Sequence, residues 1–203
     1  MNLRRLLLLL PALALLGGCL LQPKPAPRFY TLAAVPPEGQ SFQDTALVLG
    51  VGPVRIPDLL NRPEIVTRLD PQQVRMEGND FWGGSLKEGL LRVVAEGLGQ
   101  RLGTKQVLLY PWTGDAGVEL QLTLELLALE GTPGGEARLQ AGWSLLDGRS
   151  RKVVKIGASR HALATKEPGI SGLVTAWGRL IGRMTEEIAE EIAAIRQGRP
   201  NPR

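Results

Sequence analysis

Val118-Glu119-Leu120-Gln121-Leu122-Thr123-Leu124-Glu125-Leu126 alternates apolar and polar residues without a break. A period of two marks a strand with one face on a core and the other toward water. The phase changes at Leu127-Ala128-Leu129, which fits a bulge. After Thr132-Pro133-Gly134-Gly135 a second run sets Ala137, Leu139, Ala141, Trp143 and Leu145 against Arg138, Gln140 and Ser144. Asp147-Gly148 marks a turn. A third run then places Val154, Ile156 and Ala158 on one side and Lys155 and Ser159 on the other. Three such strands in succession predict an antiparallel meander.

Two helical patterns are available to cover it. Downstream, beyond Pro168-Gly169, the stripe Ile170, Leu173, Val174, Trp177, Ile181, Met184, Ile188, Ile192 and Ile195 repeats at helical spacing. Arg179, Arg183, Glu186, Glu187, Glu190 and Glu191 take the other side, where they read as a solvated face. Upstream, Leu86, Leu90, Val93, Val94, Leu98 and Leu102 predict a helix that starts near Phe81 under an Asn79 or Asp80 cap and closes at Gly103. Gln106 to Tyr110 reads as a strand cut off by Pro111-Trp112, and Ala46 to Val51 as a buried strand ending at Gly52-Pro53. Ile65–Arg68 and Gln73–Arg75 suit a hairpin around Asp70-Pro71, and Phe29-Tyr30-Thr31-Leu32 an edge strand. The order of strands, helix, strands, helix predicts a single-domain α+β sandwich, with two long helices packed on a mainly antiparallel or mixed sheet.

The N-terminus has its own logic. Arg4 and Arg5 precede an apolar run from Leu6 to Leu16 that is too short to span a bilayer, as in a signal peptide. Leu16-Gly17-Gly18-Cys19 then looks like a bacterial lipobox, and Cys19 is the one cysteine of the chain. Cleavage and acylation there would leave a covalent lipid on Cys19 and no other cofactor; a secretory signal with an incidental cysteine is the bland alternative. Several acyl chains hold a protein firmly to a bilayer. By analogy with Gram-negative lipoprotein sorting, Leu20 in place of Asp favours the outer membrane, with the domain facing the periplasm. The expected organisation is a signal peptide over 1–18, an acylated N-terminus and Pro-rich tether over 19–28, one domain over 29–196 and a disordered tail over 197–203.

Without Arg4 and Arg5, the 24 basic side chains of the 203-residue sequence fall to 22 against 20 acidic ones. The pI of about 9.6 therefore overstates the attraction to anions, and with no basic stripe and few aromatics nucleic acid is not an expected partner. The lone His161, expected as an ordinary exposed residue near a strand end, does not build a metal site with an acylated cysteine. No Gly-x-Ser-x-Gly elbow and no phosphate loop ending in Lys-Ser or Lys-Thr is present. No catalytic residue is assigned. Aromatics instead gather at element ends: Phe81-Trp82 and Tyr110-Pro111-Trp112. They either plug the core or rim a groove that takes a partner or lipid. Arg55 to Pro63, with Pro57, Leu59, Leu60 and Arg62, either covers the core or forms a docking lip.

Phe29-Tyr30-Thr31-Leu32, then Val51-Gly52-Pro53-Val54-Arg55-Ile56-Pro57-Asp58-Leu59-Leu60-Asn61-Arg62-Pro63-Glu64-Ile65-Val66-Thr67-Arg68, resemble the PqiC/YmbA family of lipoproteins, also described as ABC-type transport auxiliary lipoproteins. Phe81-Trp82, Tyr110-Pro111-Trp112 and Trp143 follow in the family's order, while Gly83-Gly84 departs from its pattern. The resemblance implies a partner role rather than catalysis. Such proteins work beside MCE-domain membrane proteins that bridge the envelope and move lipids between inner and outer membranes, so a PqiABC-like system, lipid anchoring and a homo-oligomer are the implied setting. A carrier that holds acyl chains in its own apolar cavity is the second reading.

Overall fold

The computed structural model describes residues 25–36, 41–113 and 116–198. The expected signal peptide, Cys19 and the end of the tail lie outside them. The chain runs β1 (Arg28–Tyr30), β2 (Leu49–Arg55), a 3-10 turn (Asp58–Leu60), β3 (Glu64–Arg68), β4 (Val74–Trp82), α1 (Leu86–Leu102), β5 (Val107–Leu109), β6 (Leu120–Gly131), β7 (Glu136–Asp147), β8 (Val153–Ala164) and α2 (Gly169–Arg196). This is a single-domain α+β fold, built on two mixed sheets rather than one. A three-stranded sheet has the order β1-β4-β3 and a five-stranded sheet the order β5-β2-β6-β7-β8.

The meander forms as its alternation dictates, with β6, β7 and β8 antiparallel and in long register. The bulge falls where the phase changes: pairing shifts between Leu126 and Ala128, and Leu127 turns outward. Two details differ from the simple wet-face reading. Gln121 is fully buried, because its amide donates to Gly52 O at 2.6 Å and accepts from Arg151. In β8 the apolar row faces solvent and the polar row faces α2: Val154 and Ile156 are exposed, while Ser159 is buried. The reason lies in Trp143. It stands opposite Gly157, and a β-carbon at 157 would come within 2.0 Å of its indole. The ring lies over β8 and donates to Ser159 Oγ at 3.2 Å.

Two further expectations need correction. The first helix does not start near Phe81. β4 runs on through Asn79, Asp80 and Phe81 to Trp82, because Asp80 is needed in the sheet: buried, it accepts from Tyr30 Oη and from Arg28, both at 2.8 Å, and so clamps β1 to β4. α1 instead starts under Ser85, whose side chain accepts from Glu88 N, in a Ser-x-x-Glu cap. Gly103 ends it in the left-handed region with φ 70°. β2 does not stop at Gly52-Pro53 either; pairing with β6 shifts between Val51 and Val54 and resumes to Arg55. A bulge is where a central strand tolerates proline.

α2 covers the five-stranded sheet and α1 with its isoleucine and leucine stripe, and Leu180, Ile181, Ile188 and Ile192 are wholly buried. Trp177 stands where three units meet. Its Nε1 donates to Glu130 O of β6 at 2.9 Å, and its ring lies 6.0 Å from that of Trp82 at the end of β4. Arg68 of β3 and Glu130 of β6 pair across the same junction, so helix and both sheets are tied at one place.

Two outcomes follow from this packing. Trp177→Ala should lower unfolding stability by about 3–5 kcal/mol in urea, as for other buried aromatics, whereas Trp177→Phe, which loses the hydrogen bond and part of the buried ring, should cost about 2 kcal/mol. Burial first, then the bond to Asp80, holds the Tyr30 phenol above its ordinary value of 10.0. The unfolded tyrosine therefore ionises before the folded one, and this share of stability is full below pH 10 and lost as pH rises beyond it. Tyr30→Phe should flatten the alkaline limb of the unfolding midpoint measured against pH.

Candidate partner and lipid interface

The aromatic residues divide by which side of their strand they occupy. On β4 consecutive side chains alternate, so Trp82 points inward onto Trp177, while Phe81 points outward and meets Phe29 with ring centroids 5.9 Å apart. Trp82 is buried; Phe29 is two-thirds exposed. Past β5, Tyr110 is half exposed and meets Trp112 edge-on at 5.7 Å. Trp112 packs over Gly50, where a β-carbon would sit 2.6 Å from its ring. Gly50 pairs with Gln121, on the sheet face away from the helices, so Trp112 caps that outer face.

A groove of about 470 Å³ brings several of these together. Tyr30, Trp82 and Tyr110 line it, with Leu32, Leu91 and Leu109, and the start of α1 closes one end. Arg92 on its wall donates to Leu32 O at 2.9 Å, which fixes the segment that leaves β1. Trp82 and Tyr110 thus share a site. Phe81 and Trp112 do not line it and serve as outer covers. Trp82 is thus buried against Trp177, while Tyr110 stands half exposed on the groove wall. Tyr30, Leu91 and Leu109 are not among the contact residues expected from sequence, although Tyr30 belongs to an aromatic pair at the very start of the domain.

The Arg55–Pro63 segment behaves likewise. Arg55 ends β2 exposed; Pro57 precedes the 3-10 turn; Leu60 is buried and Leu59 outward. Pro57, Leu59 and Leu60 line a dimple of about 60 Å³ with Val66, Val74 and the bulged Leu127. Arg62 reaches across to the sulfur of Met76. Leu60 therefore covers the core, while Leu59, Leu127 and Met76 stay exposed.

His161 is not an ordinary exposed residue. It lies inside β8 with its side chain 15% exposed, its Nε2 3.2 Å from Glu187 Oε1. Ser159 Oγ donates to Glu187 Oε2 at 2.6 Å. The serine proton is thus given to the carboxylate, and the imidazole faces the other oxygen, so no histidine withdraws that proton as a nucleophile requires. Lys155 pairs with Glu191 at 3.1 Å, and Arg101 with Glu186 at 2.9 Å. These glutamates form a polar seam against β8 and α1 rather than a solvated face. Among the described residues no group of three His, Cys, Asp or Glu gathers at metal-binding distance, and no helix is long and apolar enough to cross a membrane.

Comparison with known proteins places this arrangement. Two solved structures share the fold: protein XCC0632 from Xanthomonas campestris, 13% identical, with a TM-score of 0.70 over 84% of this chain and 98% of that one, and an uncharacterized protein, 17% identical, with a TM-score of 0.68 over 83% and 99%. No curated protein matches the chain. Residues 30–189 match the model of a family described as the ABC-type transport auxiliary lipoprotein component. The match runs from the Tyr30 wall of the groove almost to the end of α2, and by it the chain belongs to the ABC-type transport auxiliary lipoproteins, the PqiC/YmbA-like family.

Proposed function

We propose that this protein is the outer-membrane lipoprotein of an MCE-type, PqiABC-like lipid transport system, held at an acylated Cys19 and docking onto the envelope-spanning partner. Family membership supplies the transport setting. The observation that carries the docking role is the position of the aromatic groove. Tyr30, on its wall, stands two residues past Arg28, where β1 begins. The residues from Leu20 to Arg28, even fully extended, reach about 30 Å, so a chain anchored at Cys19 keeps this groove close to the bilayer that its partner must meet. Tyr and Trp beside apolar side chains are what interface centres favour. The exposed Leu59, Leu127 and Met76 offer a second apolar contact. The carrier reading has less support, since Leu90, Leu98, Leu122, Ile181 and Ile188 pack the core beneath the helices.

Capture of the tagged lipoprotein from crosslinked membranes, with mass spectrometry of what comes along, tests the proposal. An MCE-domain protein should be recovered, and Tyr110→Asp with Leu59→Asp should reduce that recovery at least about tenfold, the loss of a central anchor. Cys19→Ala should move the protein from the outer-membrane fraction to the soluble one. Recovery of lipid without any MCE-domain protein would overturn the docking role in favour of a carrier.

A further inference from the structure

A second cavity, between the two helices, has a different chemistry. α1 and α2 come close where Gly97 faces Thr185, a β-carbon at 97 lying 2.9 Å from Thr185 Cγ2. Both residues line a cavity of about 340 Å³, within the size of small-ligand sites, roughly 300–1,000 Å³. Arg101, buried in its wall, pairs with Glu186, so these two charges offset one another. Lys166, Arg179 and Arg183 line the same cavity, and among the described residues none has a carboxylate at ion-pair distance. Glu167, on an adjoining shallow cavity, pairs with none of them either.

Three cations that have no ion-pair partner among the described residues therefore line one cleft. Arg179 and Arg183 stand one turn apart on α2, a like-charge spacing that weakens a helix unless an anion sits between them. Guanidinium forks match phosphate oxygens in two-point geometry. The remaining wall is apolar, with Val35, Val93 and Leu163, which suits a phosphate that carries a hydrocarbon or glycerol end.

We propose that this cleft binds a phosphate group through Arg179, Arg183 and Lys166, borne by a phospholipid headgroup or present as the free ion. The inference deepens the transport reading by naming a ligand class and rests on that reading only for where the ligand comes from. Its test is separate: binding by the purified full-length lipoprotein in a neutral detergent, measured by native mass spectrometry and thermal unfolding. The probes are inorganic phosphate and micelles doped with phosphatidylglycerol. Saturable one-to-one binding is expected, and Arg179→Glu with Arg183→Glu should weaken it roughly 100-fold, about tenfold per charge-assisted contact. Both positions are exposed, so the ligand-free unfolding midpoint should stay close to wild type; Arg101 is left intact because its loss strands Glu186. Saturation by inorganic phosphate assigns the free ion as sufficient, and saturation by phosphatidylglycerol alone assigns the headgroup. Absence of saturable binding by either probe, or equal binding by the double variant, overturns the proposal. Loss of partner capture would leave this result untouched.

Discussion

The Trp177 contacts hold the architecture together. A helix that lies on one sheet can slide along it; a helix whose indole is bonded to the end of β6 and packed on the end of β4 in the other sheet cannot. With Nε1 fixed on Glu130 O and the ring against Trp82, α2 has one position along its axis. That position brings Glu187 to Ser159 and His161, Glu191 to Lys155 and Glu186 to Arg101. The polar seam, the inter-helix cleft and the inner wall of the aromatic groove all depend on this register.

The parts legible in sequence were those where one physical rule acted alone. Strict alternation placed β6 and β7, and the break at Leu127 placed the bulge, because side-chain period follows the pleat directly. Helical spacing found both helices, and Gly103 marked a helix end. Where a tertiary partner competed with a local signal, the local signal lost. Asn79 and Asp80 make good caps, yet Asp80 serves Arg28 and Tyr30 from a strand 50 residues upstream, and Ser85 caps instead. Pro53 looked like a strand end, yet a bulge absorbs it. The orientation of β8 was illegible because a charged row normally faces water, and here each polar side chain finds a partner on α2 that is visible only once the helix is docked.

The candidate interface was legible to the same degree. Element-end aromatics did mark the groove, through Trp82 and Tyr110, but the sequence offers no way to tell them from Phe81 and Trp112, their immediate or near neighbours. Strand parity and a glycine across the sheet decide that. The cationic cleft left even less trace, since its charges come from α1, α2 and the segment after β8, and a nearly balanced total charge conceals a local excess.

The Arg28–Asp80 clamp has a mechanical side. In a chain held at Cys19, any pull between membrane and partner enters the domain at Arg28, the first residue of the sheet. The first bond to bear that load is an ion pair whose acid is buried, backed by the Tyr30 hydroxyl and by a strand lying parallel to β4. Tension along β1 must shear these contacts together instead of peeling them one at a time. The short first strand would thus act as a strain relief, sharing such a pull among Arg28, Tyr30 and the β4 backbone before it passes further into the domain.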